Sequence, residues 1–201
     1  MFRLSDILAR FRLPPPPLID RGFGLIYEPD RNLTWLKDAN YAMTAGRSPD
    51  GQLTWDAATA WVGGLAYYGI RGWRLPSALN HDGSGPYVGT NCFVGELGHF
   101  FTVAQGYPDP DRLPQATNFD TFAIYWTSTE APPDLAYAYE LVEFRQGTLQ
   151  KDPFTVDPNT PMPPPPGPVL TWPVHDGDVG AEITGRWLHL LFSRVARLLG
   201  R

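Results

Sequence analysis

Apolar positions in this chain recur with two periods. Near the start, Leu4, Ile7, Leu8 and Phe11 share one narrow face at 100° per residue, with Arg3, Asp6 and Arg10 opposite. That spacing predicts a short amphipathic helix over 1–13, ended by the run Pro14–Pro17. Gly24–Tyr27 and Leu33–Leu36 read as two short strands joined by the turn Glu28–Asn32. The helical period returns at Trp55, Ala58, Trp61, Val62 and Leu65, with Thr54 placed to cap the first turn. Glu96–Gln105 reads as a second helix, stopped by Gly106. Ala123–Ser128, Ala136–Phe144, Thr148–Gln150 and Leu170–Val174 read as strands, with Gln146-Gly147 as the turn between the second and third. The strongest stripe comes last. Ile183, Trp187, Leu188, Leu190, Leu191, Phe192, Val195, Leu198 and Leu199 sweep an arc of about 200°, and Gly185 weakens the start, so the firm helix is Arg186–Leu199.

Proline marks the seams between these segments. Of 22 prolines, four form the run at 14–17 and nine fall between Pro153 and Pro173. Consecutive prolines hold φ and lack a donor, so such stretches act as stiff connectors. The expected organisation is an amphipathic N-terminal arm (1–13), a Pro-rich linker (14–19), a body (20–180) with a Pro-rich insertion (153–168), and an amphipathic C-terminal helix (181–201). Helices between strands from both ends of the body predict the α+β class. Leu-Thr-Trp occurs at 33–35, 53–55 and 170–172, but the copies share no period and one opens a helix, so they build no repeat architecture.

Composition adds three exclusions. The chain has 201 residues, 43% of them hydrophobic, enough for a packed core and against wholesale disorder. No uninterrupted apolar run reaches the length of an ordinary membrane-spanning helix. A single cysteine, Cys92, excludes an internal disulfide framework and a multi-cysteine zinc site. Charge is divided unevenly: against a total of −5, residues 1–13 at +2 and 181–201 at +3 leave −10 for the body. An acidic body of this kind argues against nucleic acid as a partner.

The chemistry-bearing patterns are sparse. Glu96 and His99 lie one helical turn apart, spacing that suits a metal, yet no third ligand is near in sequence. The plainer reading has His99 hydrogen-bonded in the core and Glu96 at the helix N-terminus. His175-Asp176-Gly177-Asp178 has oxygen ligands for calcium but lacks the rest of an EF-hand loop, so it reads as a turn. Glu28-Pro29-Asp30 has the form of a sugar-holding acid-Pro-amide triplet, though it sits in the first hairpin. Ser128 is on no nucleophile elbow, Cys92 has no certifiable partners, and no phosphate-cradling loop is present. The chain is therefore expected to be no enzyme and to use no metal or other cofactor. Tyr beside Gly, Asn and Asp is the composition of recognition loops, found at 80–91 and 107–118; Tyr87, Asn91, Tyr107 and Asp109 are the candidate ligand contacts.

One ordered series carries a resemblance. Gly24-Leu25-Ile26-Tyr27, Leu33-Thr34-Trp35-Leu36-Lys37-Asp38-Ala39-Asn40, Thr54-Trp55-Asp56-Ala57-Ala58, Gly72-Trp73-Arg74-Leu75-Pro76, Gly95-Glu96-Leu97-Gly98-His99-Phe100-Phe101, Tyr125-Trp126-Thr127-Ser128-Thr129-Glu130 and Trp172-Pro173-Val174-His175-Asp176-Gly177-Asp178 follow one another over about residues 20–180. Together they resemble the Lcl C-terminal domain family of bacterial proteins. The resemblance implies a C-type-lectin-like fold, with paired terminal strands over two helices, and an extracellular or surface binding role without established catalysis. The chain departs from that pattern in its long Pro-rich insertion, its two amphipathic arms and the absence of a recognisable signal peptide.

The functional expectation is a non-catalytic binding or assembly module. Leu4, Ile7, Leu8 and Phe11 of the first arm and Trp187, Leu191, Val195 and Leu198 of the second are the candidate assembly contacts. Three fates are open to the second stripe: the body or the N-terminal arm, another subunit, or an anionic membrane through Arg186, Arg194 and Arg197. A carbohydrate adhesin using the 80–91 and 107–118 loops is the alternative.

Overall fold

The computed structural model describes residues 16–101, 116–141, 143–154, 167–185 and 187. Its elements in chain order are β1 (Ile19–Gly22), β2 (Leu25–Glu28), β3 (Leu33–Leu36), α1 (Tyr41–Thr44), α2 (Trp55–Gly64), α3 (Glu96–His99), β4 (Ile124–Ala131), β5 (Leu135–Glu140), β6 (Arg145–Gln150), β7 (Val169–Leu170), β8 (Val174–Asp176) and α4 (179–185). The α+β class is what the structure has. Two four-stranded sheets, ordered β1-β2-β3-β8 and β6-β5-β4-β7, carry it.

The central strands of both sheets are buried on both faces, and the reason is visible in the side-chain alternation. In β2 and β3, Ile26 and Trp35 enter one core while Leu25 and Leu36 enter another. In β4, Tyr125 joins the first core and Ile124 and Trp126 the second. Strands buried on both faces read as continuous apolar runs, as Leu33–Leu36 does, instead of alternating. The first core takes Leu97 from α3 and the aromatic group Trp35, Phe100, Phe101 and Trp172; the second takes Trp55, Ala58 and Val62 from α2 and Val179 and Ile183 from α4. Thr54 caps α2 through its side chain, which accepts from the Ala57 N–H at 3.3 Å.

Buried indoles set the tertiary register. Trp55 donates to Thr127 O (2.7 Å), Trp73 to Ile70 O (3.1 Å), Trp126 to Leu53 O (2.8 Å) and Trp172 to Leu36 O (2.7 Å). A buried indole N–H without an acceptor would be costly, so each bond fixes where its ring can sit. The three Leu-Thr-Trp copies thus have no common architecture but a common outcome, a tryptophan sealed in a core.

Four sequence expectations are corrected. Leu170–Val174 is two strands, not one: β7 pairs parallel with β4, β8 pairs antiparallel with β3, and the chain changes sheet between them. Trp172 at the crossing is wedged between the sheets, its ring centre 5.4 Å from Trp35 and 5.6 Å from Tyr125. Pro173 has no N–H to give a ladder, though its carbonyl accepts from Leu36 at 3.2 Å. Gln146-Gly147 is not a turn. The β5–β6 reversal lies at 141–144, with Phe144 at φ 48° and Arg145 bonded to Glu140 at 2.8 Å across its base. Helical structure at the C-terminal end begins at 179, before the expected arm, because Val179 and Ile183 root it in the second core. The linker expected over 14–19 gives way to β1 at Ile19, and α1 had no sequence signal strong enough to mark it. Of the helix expected at Glu96–Gln105, Glu96–His99 is α-helical and 102–105 lie outside the described residues.

Candidate functional site

Glu28 closes β2 with its side chain turned inward, 0% exposed. Both carboxylate oxygens are engaged: Trp35 Nε1 donates to Oε2 at 2.8 Å, and His99 Nδ1 stands 2.5 Å from Oε1. The other imidazole nitrogen, Nε2, lies 2.8 Å from Oδ2 of Asp30, whose side chain is 43% exposed. The imidazole thus lies between two carboxyl groups, one sealed in the core and one at the surface. Glu28-Pro29-Asp30 is therefore no sugar-holding triplet, since its first carboxylate is sealed against Trp35 and His99. The trio ties the β2–β3 turn to α3, and Arg31 adds a bond from its guanidinium to Val94 O at 3.1 Å.

Glu96, one turn before His99, faces a different partner. Arg74 grips it with two parallel bonds, Nη1 to Oε2 and Nη2 to Oε1, each 2.8 Å, and also reaches Asp176 Oδ1 at 2.6 Å. Glu96 Oε2 accepts in addition from the Ser77 N–H at 2.7 Å. Burial by itself would lower the Arg74 pKa, but the bonds from Glu96 and Asp176 outweigh it and raise it. Arg74 in turn holds the Asp176 carboxyl below the usual carboxylate range, despite some desolvation. Glu96 and His99 are thus split between two networks and do not form a joint metal site. Among the described residues, no group of three or more His, Cys, Asp or Glu is arranged to hold a metal ion.

The segment from Ser77 to Val94 is where these networks lead. Gln146, buried in β6, donates from Nε2 to Ala78 O (3.0 Å) and Tyr87 O (2.8 Å). The backbone of Gly89 pairs with Gln146 in both directions, the Asn91 N–H reaches Glu143 O at 3.2 Å, and the Cys92 N–H reaches Phe144 O at 2.7 Å. Tyr139, fully buried, donates its hydroxyl to Cys92 O at 2.9 Å. Helix α3 packs so closely on this segment that a Cβ at Gly98 would stand 2.3 Å from Cys92 O. The segment is therefore pinned along its length by backbone and side-chain bonds. From it, Tyr87, Val88, Phe93 and Val94 project into solvent, Tyr87 at 48% exposure. Phe93 rests edge-on against Phe144, 5.4 Å between ring centres.

Of the residues picked from sequence, Tyr87 and Asn91 both lie exposed on this pinned segment, Asn91 at φ 56°. Tyr107, Asp109, Leu4, Ile7, Leu8, Phe11, Leu191, Val195 and Leu198 lie outside the described residues. Trp187 is described and exposed. Sequence reading missed Phe93 and Val94, which continue the loop beyond the polar stretch that drew attention. It also missed Gln146, because Gln-Gly reads as a turn, and Arg74, because nothing links it in sequence to Glu96. A second feature is a groove of about 250 Å³ on the sheet of β4, β5 and β6, lined by Ile124, Ala138, Gly147 and Leu149 and flanked by the Glu140–Arg145 pair.

Cys92 is buried, and Ser128 has its Oγ turned toward Pro76 O at 3.5 Å. Among the described residues, neither is hydrogen-bonded to a His, Asp or Glu side chain. No protein family, curated protein or solved structure matches this chain.

Proposed function

We propose that this chain is a non-catalytic binding and assembly module with a C-type-lectin-like body, a member of the Lcl C-terminal domain-like group. The motif series supports that membership, and so does a sheet in which β3, near the start of the body, pairs with β8 from its far end. Binding is carried by one observation: Tyr87, Val88, Phe93 and Val94 are exposed on a segment that Gln146, Gly89 and Cys92 hold fixed. Exposed apolar side chains on a fixed loop lose little conformational entropy when covered, so they favour a ligand more than the same residues on a floppy loop. The apolar positions at the two ends of the sequence serve assembly.

The test is a random peptide display and a glycan array, each probed with the full chain and with Tyr87→Ala/Phe93→Ser. Peptides enriched by the full chain and lost with the double variant support a protein-binding loop. Glycans held through Tyr87 and Asn91 would move the reading to a carbohydrate adhesin. No enrichment on either platform, or enrichment indifferent to the substitutions, overturns it.

A further inference from the structure

Resting on the binding half of the proposed function, we infer that the partner is an extended peptide that adds to the open edge of β6 as a further strand. Strand β6 ends its sheet, outside β5. Its pairing with β5 is unbroken from Arg145 to Gln150, so backbone groups of alternate residues point to opposite sides. Gln146 exchanges both backbone bonds with Gly89, which puts the even positions on the side away from β5. The Lys151 N–H reaches Asp134 O at 3.0 Å, which puts the odd positions on the side of β5. Thr148 and Gln150 therefore direct their N–H and C=O groups outward, and among the described residues nothing pairs with them there.

The other sheet edges are guarded. β1 is bulged between Asp20 and Gly22 and carries two charged side chains. The Arg74 backbone pairs in both directions with Val174 of β8. β7 is two residues long, and its Val169 N–H is taken by Gln52 Oε1 at 3.2 Å. Bulges, charge, cover and shortness are the usual protections of an edge. Thr148-Leu149-Gln150 has no charge, proline or bulge.

The groove over Ala138 and Gly147 lies directly beside this open edge. A Cβ built at Gly147 would meet nothing within 4 Å. Glycine inside a strand gives up packing, and it often marks where another chain comes close. An apolar side chain of the added strand lies across Gly147 and rests on Ile124, Ala138 and Leu149, as a ring covers a strand glycine from the neighbouring strand.

The edge itself selects the occupant. Donors and acceptors at strand spacing are matched by a polypeptide backbone, and by neither a glycan nor a lipid. The added strand also continues a line already begun, since Gly89 holds the neighbouring position on the same edge, with Tyr87 and Val88 exposed just before it. Charge sets the composition. Beyond Gln150, where the edge is free to extend, the carboxylates of Glu130, Asp134 and Asp152 outnumber the one ammonium of Lys151. The peptide is therefore apolar over Gly147 and basic where it passes Lys151.

A phage-displayed library of random linear 12-residue peptides, panned on the full chain, supplies the probes. Enriched peptides are expected to pair an apolar residue with Lys or Arg, and to slow amide exchange at Thr148 and Gln150. Thr148→Pro removes one outward N–H and leaves the β5 ladder intact, a place where an edge tolerates proline. It is expected to reduce binding to background. Gly147→Val fills the groove without a clash and is expected to weaken binding at least tenfold, both variants keeping the near-ultraviolet dichroism of the full chain. No enrichment, equal binding by both variants, or no protection at Thr148 and Gln150 overturns the inference. So does a dimer of the full chain that Thr148→Pro dissociates, which would make a second copy the occupant. Binding lost in Tyr87→Ala/Phe93→Ser but kept in both edge variants would retain the loop and overturn the edge; the reverse would retain the edge and overturn the loop.

Discussion

His99 Nδ1 stands 2.5 Å from Glu28 Oε1, joining residues 71 positions apart in a part of the molecule from which water is excluded. The pair fastens α3 to the strand that supports the β2–β3 turn. Burying a carboxyl group is costly unless its oxygens are hydrogen-bonded, and here Trp35 supplies the partner of the second.

Removing the imidazole leaves the buried Oε1 of Glu28 without its partner. His99→Ala is expected to destabilise the fold by about 1–3 kcal/mol, the usual cost of a buried polar group left unsatisfied. Asp30→Asn touches the exposed end of the same trio and is expected to cost less than about 1 kcal/mol. Denaturant unfolding of both variants checks the ordering; equal losses would show that the buried end is not the one that matters.

Gln146→Ala removes the side-chain bonds to Ala78 O and Tyr87 O while leaving the Gly89 backbone pairing. The expected cost is about 1–3 kcal/mol, from two carbonyls losing their donor. Hydrogen exchange should quicken at Gly89, Asn91 and Cys92 before it does in β2 and β3. Uniform quickening would mean that Gln146 stabilises the whole body and not the loop in particular.

Acid should loosen the Arg74 cluster. Asp176 has a folded pKa below its ordinary 3.8, chiefly through the hydrogen bond from Arg74, so it stabilises the fold above that value and loses the contribution as pH falls through the depressed pKa. Asp20, lowered by its bond from Lys37, acts in the same direction. Melting temperature should therefore drop as pH falls below about 4, and Asp176→Asn should flatten that drop. A variant with the wild-type acid slope would refute the assignment.

Alkali acts through Tyr67. Burial, with smaller effects from Tyr41, Tyr68 and Asp38, pushes its hydroxyl from 10.0 up to about 12. A raised folded pKa means stability fully present below pH 10 and lost as pH climbs toward 12. The hydroxyl also donates to Phe23 O at 2.8 Å, a bond that ionisation abolishes. Tyr67→Phe should lower stability at neutral pH by about 1 kcal/mol and lose less than wild type in alkali. Phenolate absorbance during the titration reports whether one tyrosine ionises late.

Much of the fold is legible because local rules suffice for it. Thr54 caps α2 as its hydroxyl and position require, Leu33–Leu36 is a strand with the bounds that its apolar run marks, and Cys92 is a small buried side chain. Misreadings occur where local signals conflict with distant partners. Gln146 looks like a turn residue until Ala78 and Tyr87 are placed beside it. Leu170–Val174 looks like one strand until Trp172 is seen filling the gap between sheets. The candidate site was half visible: Tyr87 and Asn91 stand in a stretch with recognition-loop composition, whereas Phe93 and Val94 look like core residues until the Cys92 anchor forces them outward.

By itself, then, the sequence determined the α+β class, the helix at Trp55 and the acidic charge of the body, all properties of residues close in the chain. Only the tertiary structure decided that Glu28 belongs to His99 and Glu96 to Arg74, since ion pairs between segments carry no periodic trace in sequence. It also decided that α4 is rooted through Ile183 and bare at Trp187. Burial depends on where the body's surface ends, and no spacing of residues records that.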